Sequence, residues 1–72
     1  MKILEAVFYT DNSTVRLETA DAKFYLTKEK KFYDMHPDNV MAKEIKGAKA
    51  KEVKDAAKKD KYTGDDEVRK WL

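Results

Sequence analysis

The chain has no cysteine. It can therefore form no disulfide, zinc-thiolate centre or thiol nucleophile, and it suits a reducing compartment. Glycine occurs twice and proline once, which leaves no glycine-rich phosphate loop. The single histidine, His36, has no serine or cysteine in a nucleophile–base arrangement with it. No apolar run is long enough for a signal peptide or a membrane span, so a cytoplasmic protein without membrane association is expected. A chain of 72 residues also lacks the walls for a deep ligand pocket. These absences point away from an enzyme and away from any metal or cofactor.

What is present is charge and aromatic side chains. Charged residues make up 42% of the chain and hydrophobic residues another 42%, enough apolar content for one small core in a well-solvated surface. Residues 1–35 carry six Lys/Arg and six Asp/Glu, whereas residues 36–72 carry ten and eight. The second half is charge-dense rather than strongly basic, which argues against an acidic nucleic-acid mimic and gives little support to nucleic-acid binding.

Every phenylalanine is followed by tyrosine: Phe8-Tyr9, Phe24-Tyr25 and Phe32-Tyr33. Neighbouring side chains of a strand point to opposite faces, so each pair sends one ring to the core and the other across the sheet. Residues 2–10 read as a strand with Leu4, Ala6 and Phe8 on one face and Ile3, Glu5, Val7 and Tyr9 on the other. Asp11-Asn12-Ser13 is a turn. Residues 14–19 form a second strand with Val15 and Leu17 inward. Residues 23–27 form a third, with Phe24 and Leu26 inward and Tyr25 outward. A fourth is expected over 31–35. Turning Tyr33 and Met35 inward there avoids burying Asp34.

Pro37-Asp38-Asn39 signals a helix start, and the helix is expected to run to about residue 60. Its core-facing arc gathers Ala42, Ile45, Ala50, Val53, Ala56 and Ala57, with Gly47 as a possible break. Tyr62-Thr63-Gly64 ends it. Thr63 is the expected cap of a last helix over 64–72, with Val68, Trp71 and Leu72 closing the core. The reading is a single α+β domain over residues 1–72: an antiparallel β-meander of three or four strands (about 2–35), then one long or two short helices (about 38–72) packed on one face. Phe8, Leu17, Phe24, Leu26 and Trp71 are the expected core.

Asp34-x-His36-x-Asp38 alternates metal-ligand types, but Pro37 ends the strand and no fourth ligand is close in sequence. A strand-to-helix junction with an exposed histidine accounts for it. Asp65-Asp66-Glu67 is accounted for by the positive end of the last helix. Lys43, Lys51, Lys54, Lys58 and Lys61 gather on one helical arc that could lie along phosphates. It runs beside an acidic arc of Glu44, Glu52 and Asp55, with i,i+4 pairs such as Asp55–Lys59, and reads first as a solvated face.

The sharper feature is the outer sheet face, where Tyr9, Tyr25, Arg16, Lys23 and Val7, with Ile3, make an amphipathic patch. Tyrosine and arginine concentrate binding energy at interfaces. In size and composition the chain is similar to small phage or mobile-element accessory proteins that inhibit a larger host complex by masking a surface. A non-enzymatic protein-binding module is the function expected. The alternatives are a nucleic-acid-binding regulator using the lysine arc and sheet aromatics, and a homodimer paired through sheet faces or edges.

Overall fold

The computed structural model describes residues 1–72. It is an α+β fold in which five antiparallel strands, β1 (Glu5–Tyr9), β2 (Thr14–Glu18), β3 (Lys23–Thr27), β4 (Phe32–Tyr33) and β5 (Glu44–Ile45), form one meander in sequence order. Two helices follow, α1 (Ala48–Lys59) and α2 (Asp65–Arg69). The alternation of the sequence sets the register of the three long strands: Ala6 pairs with Leu17 and Leu17 with Phe24, while Val7 pairs with Arg16 and Arg16 with Tyr25. Ala6, Val15, Leu17, Phe24, Leu26 and Phe32 are buried on the inner face. Val53, Ala56 and Ala57 of α1 and Val68 of α2 complete that core. Alanine at two of the three buried α1 positions lets the helix axis lie close to the sheet. Leu17, Phe24 and Leu26 are core residues as expected. Phe8 and Trp71 are half-buried against the core, their rings 5.4 Å apart edge to face.

Several expectations are corrected. Leu4 is exposed and Ile3 is fully buried, so Ile3 belongs to the core and not to the outer patch. Glu5 is the partner of Glu18 in the ladder, yet the Leu4 amide also donates to the Glu18 carbonyl at 2.8 Å. Two residues of one strand oppose one of the next, as in a β-bulge, and this inverts the alternation before Glu5. In the fourth strand it is Phe32 that is buried, not Tyr33. The feared burial of Asp34 does not arise, because β4 ends at Tyr33 and Asp34 is exposed.

The helix does not begin near residue 38. Asn39 forms a side-chain turn, its Oδ1 accepting the Met41 amide at 2.8 Å, and its carbonyl accepts the Ala42 amide at 3.0 Å. Ile45 then pairs with Phe32 in β5. Gly47 adopts φ 69° and ψ −140°, a backbone state essentially confined to glycine, so it starts α1 rather than dividing a longer helix.

The C-terminal segment is tied back to the first strand. The Ala6 amide donates to the Thr63 carbonyl at 2.9 Å, and the Ile3 amide donates to Asp60 Oδ2 at 3.0 Å. Gly64, not Thr63, caps α2, in a left-handed conformation with φ 84° and no side-chain cap bond. Arg69 serves the open end of α1: its guanidinium donates to the carbonyls of Lys58 (2.6 Å) and Asp60 (2.9 Å) and pairs through Nε with Asp65 at 2.8 Å. This satisfies carbonyls that a helix leaves unpaired. The Tyr62 hydroxyl donates to the Ala57 carbonyl at 3.1 Å.

A Cβ on Gly64 would lie 2.4 Å from the Ala6 carbonyl oxygen, whereas one on Gly47 would meet nothing within 4 Å. Gly64→Ala therefore combines left-handed strain of about 1–3 kcal/mol with a backbone clash, and Gly47→Ala carries strain alone. Denaturant melts should rank Gly64→Ala well below Gly47→Ala in stability. Equal midpoints would contradict the close approach of residue 64 to β1.

Burial, followed by the nearby Asp65 carboxylate, pushes the Tyr62 hydroxyl from 10.0 up to about 12. The folded state thus favours the neutral phenol. That contribution is complete below pH 10 and disappears as pH rises through about 12. Tyr62→Phe should cost about 1 kcal/mol near neutrality through the lost hydrogen bond and should flatten the fall in stability across that alkaline window. An unchanged alkaline slope in the variant would show that Tyr62 is not the group responsible.

Candidate docking face

The outer face of the sheet is not covered by a helix. The register places Val7, Arg16, Tyr25 and Tyr33 in one row across four strands, with Tyr9 beside Thr14 in the next. Tyr9 and Tyr25 flank β2 and meet edge to face, with centroids 5.9 Å apart. Both rings are half-buried. Arg16 is tied to Glu18 through Nε at 2.7 Å, so its charge is already met within the sheet. Lys23 is exposed at the start of β3.

The expected exposed histidine is also corrected. The chain between β4 and β5 folds back over this face, and His36 lies 4.4 Å from the Tyr9 ring and 5.9 Å from the Tyr25 ring. Its side chain retains only 17% exposure. Its Nδ1 accepts the Asp38 amide at 3.2 Å, which fixes a neutral ring as the tautomer protonated at Nε2. The same nitrogen lies 3.6 Å from the Asp38 carboxylate. Asp34 bonds across the base of the loop: its Oδ1 accepts the Lys43 amide at 2.8 Å while the Asp34 amide donates to the Lys43 carbonyl at 3.2 Å. Asp34 thus bonds apart from the His36–Asp38 pair, and no group of three such residues is placed to hold a metal ion.

These bonds brace the loop from Asp34 to Lys43 at its base and along its length. Its tip presents Val40 and Met41, which are 98% and 66% exposed, and Met35 at its start is 40% exposed. Adjacent apolar side chains held outward on a hydrogen-bonded loop differ from the scattered single exposures normal on a protein surface. Reading the loop as helix hid this tip. The signal that could have revealed it is Asn39 two residues before Met41, the spacing of a side-chain turn.

The lysine arc is only partly assembled. Lys51, Lys54 and Lys58 lie on α1, but Lys43 is in the loop and Lys61 lies beyond the helix end. The expected Asp55–Lys59 pair does not form; the chain's lysine and arginine ion pairs are Arg16–Glu18, Arg69–Asp65 and Lys70–Glu67. Lys28 and Lys49 instead lay their ammonium groups near the rings of Trp71 and Phe24, at 5.7 and 5.5 Å. No helix is long and apolar enough to cross a membrane. No protein-family model, curated protein or solved structure matches the chain.

Proposed function

We propose that this chain is a non-enzymatic protein-binding module that masks a surface of a larger partner. Its docking face is the outer sheet surface together with the loop from Asp34 to Lys43. The observation that carries this reading is one braced loop that holds Val40 and Met41 outward at its tip and lays His36 on the Tyr9 and Tyr25 rings of the sheet. Rigid rings lose little conformational entropy on binding, and a preformed loop avoids an ordering cost.

The test is capture of a partner from a nuclease-treated lysate of the organism that encodes the chain, repeated with variants. Val40→Asp should weaken capture while leaving the melting curve unchanged, since that side chain touches almost nothing. Tyr25→Ala should cost about 1–2 kcal/mol of binding, roughly five- to thirty-fold in affinity. Full capture by both variants would place the interface elsewhere.

A second reading has one observation in its favour: Lys51, Lys54 and Lys58 have no ion-pair partner, leaving them free for phosphates. If they grip nucleic acid, an oligonucleotide should bind at low salt with steep salt dependence, and replacing all three by glutamine should flatten that slope. No binding at low salt removes this reading, because electrostatic affinity is greatest there.

A further inference from the structure

The docking face contains an open groove between the turn that joins β2 to β3 and the start of the 34–43 loop, with Tyr9, Tyr25 and His36 among its lining. The groove's charge is one-sided. Glu18, Asp21 and Asp34 line it against a single cation, Lys23. Glu18 is neutralised by Arg16. Asp21 and Asp34 stand on different segments of the wall and have no ion-pair partner. Asp21 accepts only the Thr19 hydroxyl at 3.2 Å, and Asp34 the Lys43 amide. Each therefore keeps acceptor capacity and an uncompensated charge.

Aromatic rings attract cations at their faces, and carboxylates on the walls supply charge-assisted acceptors for an ammonium or guanidinium. Met35, on the rim, offers apolar surface to the methylene stem of such a side chain. From this charge complementarity we infer that the groove takes a lysine- or arginine-bearing segment of the partner protein. The inference rests on the reading of this face as a docking surface and specifies the chemistry of what docks.

Chemical-shift mapping of the 15N-labelled chain tests it, with oligolysine, oligoarginine, oligoglutamine and oligoglutamate octapeptides as probes. The basic peptides should move the amides of Asp21, Lys23, Tyr25, Met35 and His36, with affinity falling several-fold as salt is raised. Asp21→Asn and Asp34→Asn keep the acceptor oxygens that Thr19 and Lys43 use, so the fold should persist. Each should weaken binding about three-fold, and together about ten-fold, the scale of exposed charge pairs.

Four outcomes overturn the inference. One is equal shifts from oligoglutamine, and another is shifts confined to the acidic first turn of α2. The third is no shift at all. The last is self-association of the free chain that moves the same amides on dilution, which would assign the groove to a second copy. The two levels of the argument separate cleanly. Loss of lysate capture by Val40→Asp and Tyr25→Ala without any basic-peptide selectivity preserves the docking face and rejects its proposed occupant. Unchanged capture by both variants rejects the face itself.

Discussion

The pleat of the three long strands is the constraint on which the rest of this molecule depends. Val15, Leu17, Phe24 and Leu26 must all reach one side to form a core, and a strand gives alternate residues no freedom to follow. Arg16, Tyr25, Val7 and Tyr9 are consequently fixed on the other side, in defined cross-strand positions. The outer aromatic surface is a geometric consequence of burying the inner one. A one-residue slip in β2 or β3 would expose the leucines and bury Arg16 or Tyr25. That penalty, repeated in each strand, is what makes the position of the tyrosines rigid.

A sheet this small still needs its inner face sealed, and the seal depends on the chain returning to β1. Three features converge there: the Ala6–Thr63 hydrogen bond, the Asp60 carboxylate on the Ile3 amide, and Gly64 against the Ala6 carbonyl. Arg69 then joins the end of α1 to α2 by bonding the carbonyls of Lys58 and Asp60 while pairing with Asp65. With one buried residue in α2, Val68, apolar contact alone gives that helix little reason to dock. Polar junctions of this kind hold it where burial is scarce.

The meander, the turn at Asp11–Ser13 and the inward set of β2 and β3 were legible because periodicity and turn chemistry agree there. Asn12 occupies the left-handed conformation that its residue type tolerates, with φ 61°. The errors fall where a single hydrogen bond or short-range choice competes with periodicity. At Leu4, the extra bond to Glu18 shifts the phase of the strand. At Phe32, a two-residue strand is too short for alternation to bind Asp34. Over residues 38–46, helical periodicity was present on paper, but the Asn39 turn and the pairing of Ile45 with Phe32 prevailed. The candidate face was legible in Tyr9, Tyr25, Lys23, Val7 and Arg16. His36 was missed because only tertiary folding of the β4–β5 loop lays it on the tyrosines, and Val40 and Met41 because their segment was read as helix.

The loop is also largely independent of the small core. Its hydrogen bonds are internal to residues 34–43, so its side chains can change without touching the residues that hold the sheet to α1. The core in turn is built from the inner alternation of the strands, Ile3 and the apolar residues of the two helices. The core and the proposed docking face thus lie on opposite faces of the same strands, coupled only through backbone register. Exposed apolar groups such as Val40 contribute nothing to the fold they decorate. On a domain with so little core in reserve, their exposure at the end of a braced loop is the feature on which the proposed docking to a partner rests.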